Sequence, residues 1–295
     1  MFKRVEVAVD MSAPSRSAVE AAARLARLWG AGLELLHVED APAWSESSLA
    51  PRIGSYSWPW ADYHRWRKEN LKRWLGRFPA ARVRVHSVAG WPPDMLAELS
   101  RRSVGRLLVM GTHGYAGLDR ALFGSVAEAV VRRAKSQVLV VPEGGWKRRP
   151  RLVLAPWNGR PYATGALRAA AGWAKSLGAR LAVLIVLAPW ETKEGAEPAL
   201  RRRLDRLLAG FPRAALRVRH GDARETIMHE SEGCDLLVLA AHRRPFTSDF
   251  MIGSTVERAL RHGRVPVLSV PSTGGRKRSL ALPPSAWIRG GSYIF

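Results

Sequence analysis

The chain has 295 residues, 47% of them hydrophobic and 24% charged, a composition typical of a globular protein large enough for two domains. No apolar run approaches the roughly 20 residues of a membrane-spanning helix, so we expect a cytoplasmic protein without a membrane partner. The single cysteine, Cys234, excludes an intramolecular disulfide and is expected to be a small buried side chain.

The net charge is strongly positive. Lys and Arg number 47 against 25 Asp and Glu, giving +22 overall, of which +7 falls in residues 1–143 and +15 in residues 144–295. A field of this sign attracts nucleotides, nucleic acid or an acidic protein over long range, but it does not select among them.

In chain order, short apolar runs rich in β-branched residues alternate with helical stretches such as SAVEAAARLARLWG. The runs predict five strands: VEVAV (5–9), LELLHV (33–38), VRVHSV (83–88), RLLVMG (106–111) and QVLVV (137–141). Strands that alternate with helices predict βαβ units, and hence an α/β fold with a parallel sheet.

The same pattern then occurs a second time. Residues 151–186 retrace residues 3–38, FPRAALRV (211–218) corresponds to FPAARVRV (78–85), and residues 252–271 correspond to 123–142. We therefore predict two tandem copies of one domain. Their expected boundaries are 1–143 for the first copy, 144–150 for a linker, 151–271 for the second copy and 272–295 for a basic flexible tail.

Each copy is expected to be a doubly wound, Rossmann-like sheet of five parallel strands in the order 3-2-1-4-5. The fifth strands, QVLVV (137–141) and PVLSV (266–270), would then lie at sheet edges. Because an unpaired apolar edge invites aggregation, we expect the two edges to meet within one chain as a pseudo-dimer. Association of whole chains into a homodimer stays open.

Glycines are concentrated where the fourth strand of the first copy ends, in the stretch MGTHGYAGLDRALFGSVAE (110–128). In a doubly wound sheet the ligand crevice lies beyond the carboxyl ends of the strands, where the strand order reverses, here between strands 1 and 4. Glycine lets backbone amides approach a phosphate closely, and the N-terminus of the following helix favours an anion. The pattern therefore favours an adenosine phosphate as the ligand.

At fixed spacing this stretch carries G-x-x-G, nine residues and then G-S, which resembles the ATP-binding signature of the universal stress protein family. The segments VAVD, LLHVED and QVLVVP resemble further landmarks of that family, and both copies are covered. The resemblance implies a nucleotide-dependent regulatory module of the stress response. Its expected cofactor is ATP or a related adenine nucleotide, with or without Mg²⁺, and its expected catalysis is at most slow ATP hydrolysis.

The resemblance also implies which residues bind the nucleotide. Asp10 and the strand residues before it, Ala8 and Val9, are expected at the adenine and ribose, and Val38 is expected to offer its backbone to the adenine. The remaining expected site residues lie around the ribose and phosphates and are Met110, Gly111, His113, Gly114, Gly124, Ser125 and Val126.

The second copy serves as an internal comparison. Asn158 replaces Asp10, Ala240 replaces Gly111 and Arg243 replaces Gly114, so we expect its nucleotide site to be degenerate. Gly253 and Ser254 persist. Ser125 and Ser254 each precede a glutamate by three residues, so helix capping explains them as well as phosphate contact does. His113 has a counterpart in the second copy and is not expected to be catalytic.

No motif for a metal site or for fast catalysis is present. The alternative to a nucleotide-binding module is a basic interaction module that docks nucleic acid or an acidic protein through residues 144–295, with nucleotide absent or only regulatory. Its candidate contacts are Arg201, Arg202, Arg243 and Arg244. Solvated outer helix faces explain helical arginines of this kind more simply, without any partner.

Overall fold

The protein is described by a computed structural model over most of its length. The described residues are 2–40, 52–53, 56–57, 65, 69–71, 73–74, 83–101, 105–112, 125–146, 149–188, 193–211, 214–241, 254–272 and 292–294. Across these ranges, no helix combines the length and the apolar character that crossing a membrane requires.

The first repeat alternates strands with helices, as the sequence predicts. Its elements are β1 (Arg4–Ala8), α1 (Ala13–Trp29), β2 (Gly32–Asp40), β3 (Arg52–Ile53), β4 (Tyr56–Ser57), β5 (Arg84–Gly90), α2 (Pro92–Arg101), β6 (Arg106–Gly111), α3 (Ser125–Arg133) and β7 (Val138–Val141). The short strands β3 and β4 pair with each other in a small antiparallel sheet inside the long insertion of this repeat.

The second repeat has a similar succession of elements, with a helix in place of β3 and β4, and one terminal strand follows it. They are β8 (Leu152–Pro156), α4 (Pro161–Leu177), β9 (Arg180–Leu187), α5 (Lys193–Leu207), β10 (Ala214–His220), α6 (Ala223–Ser231), β11 (Leu236–Ala241), α7 (Ser254–His262), β12 (Val267–Pro271) and β13 (Ser292–Ile294).

The long helices α1 and α4 occupy equivalent places in the two repeats. Each has 17 residues, a proline in its first turn and a left-handed glycine at its end, Gly30 at φ 61° and Gly178 at φ 64°. Proline suits a first turn because its φ is already helical, and glycine adopts the left-handed end without a Cβ clash. The caps differ: Ser12 accepts a hydrogen bond from the Ser15 N–H at 3.3 Å, whereas Arg160 makes no side-chain cap.

One sheet of eleven strands runs through both repeats, in the order β10-β9-β8-β11-β12-β7-β6-β1-β2-β5-β13. Within each repeat this is the order 3-2-1-4-5, and the five strands that each repeat contributes to this sheet pair parallel with one another. The predicted doubly wound fold is therefore confirmed. Apolar cores cover both faces of the sheet, which suits the largely apolar sequences of its central strands.

The two repeats meet through their fifth strands. β12 pairs antiparallel with β7, with Val267 opposite Val140 and Ser269 opposite Val138. Each strand supplies the ladder partner that the other would lack at an open edge. The expected meeting of the two edges within one chain is confirmed.

The segment between the repeats is anchored on both sides. Trp146 is 7% exposed and belongs to the hydrophobic core, although the sequence pattern predicts only a linker there. Its indole N–H donates to the Asp235 carbonyl of the second repeat at 2.6 Å, and its own carbonyl accepts from the Arg24 guanidinium of α1. The Gly144 N–H also donates to the Ser17 hydroxyl at 3.1 Å.

Three residues of the tail depart from the expected flexible extension. Ser292–Ile294 form β13, which pairs antiparallel with β5 and places Tyr293 opposite Val85. β5 is the outermost strand of the first repeat, and its outer backbone groups gain hydrogen-bond partners from this added strand.

Candidate functional site

The strand order reverses between β1 and β6, where the sequence analysis expects the crevice. These neighbours are parallel, with Val5 opposite Leu107 and Val7 opposite Val109, while β2 lies on the far side of β1 and β7 on the far side of β6. Asp10 follows the end of β1 by two residues, and Gly111 is the last residue of β6. Both residues therefore lie at the carboxyl edge of the sheet, on either side of the reversal.

Asp10 is held by the first turn of α1. Its Oδ1 atom accepts hydrogen bonds from the Ser12 N–H at 3.0 Å and from the Ser15 hydroxyl. The Asp10 N–H donates to the same Ser15 oxygen at 3.1 Å. The carboxylate is partly exposed and Ser15 is 4% exposed, so an outward-facing acid is fixed by a buried hydroxyl.

The residue after Asp10 has an uncommon backbone conformation. Met11 has φ 66°, the only positive φ of a non-glycine residue in the described parts of the chain, and Gly159 has φ 75° at the same place in the second repeat. A side chain in the left-handed region costs roughly 1–2 kcal/mol. The loop between the first strand and the first helix thus contains a left-handed residue in both repeats, and only in the second repeat is that residue a glycine.

Gly111 packs against the same helix turn. A Cβ atom built on Gly111 would lie 3.0 Å from the carbonyl carbon and from the Cβ of Pro14. Such contacts are too short for an unstrained side chain, so the close approach of α1 to β6 requires glycine here even without a ligand. The sequence analysis assigned Gly111 to phosphate approach alone, and packing against Pro14 is a second reason for it.

The strand ends beside the reversal present backbone and buried apolar side chains. Ala8, Val9 and Met110 are each no more than 8% exposed, so they can offer a ligand little beyond their main chain. The Val9 N–H donates to the Leu36 carbonyl at 2.9 Å. Alternate residues of a strand direct their backbone groups to the same neighbouring strand. Val38, two residues after Leu36, therefore directs its backbone N–H and carbonyl toward the space beyond the end of β1. The expected contact of the Val38 backbone with adenine stays a prediction.

Helix α3 also begins at the carboxyl edge of the sheet. Its first residue is Ser125, and Val126 is partly buried against the core beneath the helix. The capping-box glutamates pair forward with an arginine one turn later: Glu128 with Arg132, and Glu257 with Arg261 at 3.1 Å. The expected site residues His113, Gly114 and Gly124 lie outside the described residues, as do His242, Arg243, Arg244 and Gly253 of the second repeat.

The equivalent place in the second repeat keeps the turn and changes the chemistry. Asn158 Oδ1 accepts from the Arg160 N–H at 3.1 Å, just as Asp10 accepts from Ser12. The Asn158 amide donates to the Tyr162 hydroxyl at 2.7 Å. Ala163 takes the position of Ser15, since both lie three residues after the helix cap.

Ser15 is a site residue that the sequence analysis missed. The signal was present, because Ser15 becomes Ala163 in the same copy in which Asp10 becomes Asn158. This signal is weak, because a serine in a first helical turn is ordinarily explained by capping alone.

The Cys234 thiol is buried and unreactive. The residue is 8% exposed, as expected from the sequence, and burial raises the pKa of its thiol to about 12. The thiol is therefore protonated at physiological pH and is not a nucleophile. In the part of the chain that the structure describes, no group of three or more His, Cys, Asp or Glu residues could hold a metal ion.

Known proteins share this architecture. The model of the universal stress protein family matches residues 1–142 and again residues 151–271. A universal stress protein of Mycolicibacterium smegmatis is 27% identical over 300 residues, covering 90% of this chain and 95% of that protein. One from Methanocaldococcus jannaschii is 30% identical over 143 residues, covering 48% of this chain and 82% of that protein.

A solved structure extends the likeness to the whole fold. The crystal structure of a universal stress protein from Archaeoglobus fulgidus superposes with a TM-score of 0.66. The superposition covers 92% of this chain and 99% of that one, at 17% sequence identity. At this identity the likeness shows the tandem α/β fold and not a shared ligand.

Proposed function

The chain belongs to the universal stress protein family, and from that premise we propose that its first repeat binds ATP, or a related adenine nucleotide, as a regulatory input to the stress response. The observation that carries the proposal is the placement of Asp10 and Gly111 on either side of the strand reversal, at the carboxyl edge of the sheet. Open α/β sheets hold nucleotides at this kind of place.

The residues around the reversal suit the parts of a nucleotide. The Asp10 carboxylate is placed to accept hydrogen bonds from ribose hydroxyls, and the backbone of Val38 to pair with the adenine edge. The N-terminus of α3, beginning at Ser125, supplies amides and a positive dipole end for the phosphates. Gly114 and Gly124, which lie outside the described residues, are the further glycines that the sequence predicts around the phosphates, and Mg²⁺ would bind together with those phosphates.

The second repeat supports the first without binding ATP in the same manner. Asn158 lacks the negative charge of Asp10, and Ala240, opposite Val270, occupies the place that Gly111 holds opposite Val141. Its β12 strand completes the edge of β7. We infer that the second copy is a structural partner, that hydrolysis is slow at most, and that the protein works in the cytoplasm.

The experiment that tests nucleotide binding uses the internal pair of equivalent residues. Native mass spectrometry identifies nucleotide that co-purifies with the protein, and calorimetry measures ATP affinity for the wild type, Asp10→Ala and Asn158→Ala. Both variants remove the acceptor of the same backbone turn, so they perturb the two repeats alike. Loss of ATP affinity in Asp10→Ala alone supports the site. Equal affinities in all three proteins contradict it.

A second candidate function follows from α5. Arg201, Arg202 and Arg206 are exposed on this helix, and the ion pairs found among the described side chains do not include them. The apolar residues Leu200 and Leu204 pack the opposite face of α5 onto the core. An arginine-rich face of this kind suits a phosphate backbone or an acidic protein.

A further inference from the structure

The first turn of α1 fixes the orientation of the Asp10 carboxylate. One carboxylate oxygen, Oδ1, receives both the Ser12 N–H, at 3.0 Å, and the Ser15 hydroxyl. The Ser15 oxygen also accepts from the Asp10 N–H at 3.1 Å, so Ser15 bonds to Asp10 twice. Hydrogen bonds to an ionised group are about twice as strong as neutral ones, and burial of Ser15 shields these from water.

The fold does not need this hydroxyl. In the second repeat Ala163 stands at the position of Ser15, yet the following residues form an equally long helix. The backbone turn is also kept there, by the Arg160 N–H on Asn158 Oδ1 at 3.1 Å. The backbone turn is thus present in both repeats, whereas the serine is present only in the repeat that has the Asp10 carboxylate.

We propose that Ser15 is a positioning residue that orients the Asp10 carboxylate toward ribose hydroxyls, and that it thereby sets a preference for ribonucleotides. This inference rests on the proposed nucleotide binding by the first repeat. A carboxylate that is already oriented loses less freedom when a ligand binds, so its hydrogen bonds to the ligand contribute more to affinity. The benefit reaches only ligands that carry the ribose hydroxyls.

The test compares ATP with 2′,3′-dideoxyATP, which keeps the base and phosphates and lacks both hydroxyls. Affinities are measured by competition against a fluorescent ATP analogue, for the wild type, Ser15→Ala and Ser15→Thr. Ser15→Ala is expected to weaken ATP binding about tenfold and to change dideoxyATP binding less than twofold. Ser15→Thr keeps the hydroxyl and is expected to stay within about threefold of the wild type for both ligands.

The matched control is Ala163→Ser, which adds a hydroxyl at the equivalent place of the second repeat and should change neither affinity. Thermal unfolding of Ser15→Ala shows whether the variant is folded. An equal loss for both ligands, or no loss for ATP, overturns the positioning role while nucleotide binding by the wild type still stands. A wild type that binds neither ligand overturns the proposed function and the role of Ser15 together.

Discussion

A Cβ atom on Gly111 would lie 3.0 Å from the Cβ and from the carbonyl carbon of Pro14, so the end of β6 and the first turn of α1 touch without room for a side chain. Pro14 belongs to the turn that also holds Asp10 through Ser12 and Ser15. One helix turn thus connects both strand ends that flank the candidate site.

Gly111→Ala should therefore destabilise the protein in the absence of any nucleotide. Overpacking of this kind costs about 1–3 kcal/mol, because α1 must move by a few tenths of an ångström. Chemical denaturation of the nucleotide-free protein measures the change. A reverse substitution in the second repeat, Ala240→Gly, relieves no overlap and serves as the control. An unchanged unfolding midpoint in Gly111→Ala would mean that the glycine serves the ligand alone.

Trp146 should contribute strongly to stability although it lies between the repeats. Trp146→Phe removes the indole N–H that donates to the Asp235 carbonyl at 2.6 Å, at a cost of about 1–2 kcal/mol. Trp146→Ala also loses the buried ring and should cost about 3–5 kcal/mol. Trp91 is 51% exposed, so Trp91→Phe should change the free energy of unfolding by less than about 0.5 kcal/mol. Similar effects at both tryptophans would refute an anchored linker.

Glu230 should make the second repeat sensitive to acid. Burial alone would raise the pKa of this carboxyl, but hydrogen bonds from Arg217 at 2.9 Å and Arg219 at 2.6 Å outweigh burial and hold the pKa below its usual range. A lowered pKa in the folded state stabilises the protein above the unfolded value of 4.5, and this contribution is lost as pH falls through the folded pKa.

The stability difference between the wild type and Glu230→Gln should consequently be largest at neutral pH and shrink below about pH 4. Urea denaturation across that range measures it. Glu232→Gln, two residues further along the chain and exposed on the surface, provides the control for removing a carboxylate. A difference that stays constant with pH would show that the two arginines do not stabilise the charged form of Glu230.

If α5 docks nucleic acid, its arginines should set the salt dependence of binding. The triple variant Arg201→Gln, Arg202→Gln and Arg206→Gln should reduce the slope of log affinity against log salt by about 2–3 for duplex DNA. Arg24 is unsuitable as a control, because its guanidinium donates to the Trp146 carbonyl. Three other exposed arginines provide a control of equal charge: Arg27, Arg168 and Arg258.

Fluorescence anisotropy with labelled duplex DNA at several salt concentrations measures both triple variants. Equal slopes for the α5 variant and the control variant would indicate that DNA responds to the overall positive charge. They would contradict a docking surface on α5. Binding to an acidic peptide and not to DNA would assign the same face to a protein partner.

The sequence alone determined the fold class, the tandem repeat, the strand order and the edge at which Asp10 and Gly111 lie. These follow from local signals, because strand and helix periodicity, turn residues and self-similarity are read within short windows. The meeting of β7 and β12 also followed, since both fifth strands are apolar and would otherwise be left open, whereas the antiparallel direction of their pairing was seen only in the structure.

Contacts between distant residues were decided by the tertiary structure. The alignment of the two repeats matches Val218 with Val85. In the structure Val85 lies opposite Leu35, whereas Val183, the counterpart of Leu35 in the second repeat, lies opposite Leu216. The true counterpart of Val85 is therefore Leu216. A shift of two residues keeps every side chain on the same face of the sheet, so the hydrophobic pattern cannot detect it. Burial of Trp146, addition of β13 and the contact of Gly111 with Pro14 depend likewise on packing between segments far apart in the chain, which no local pattern records.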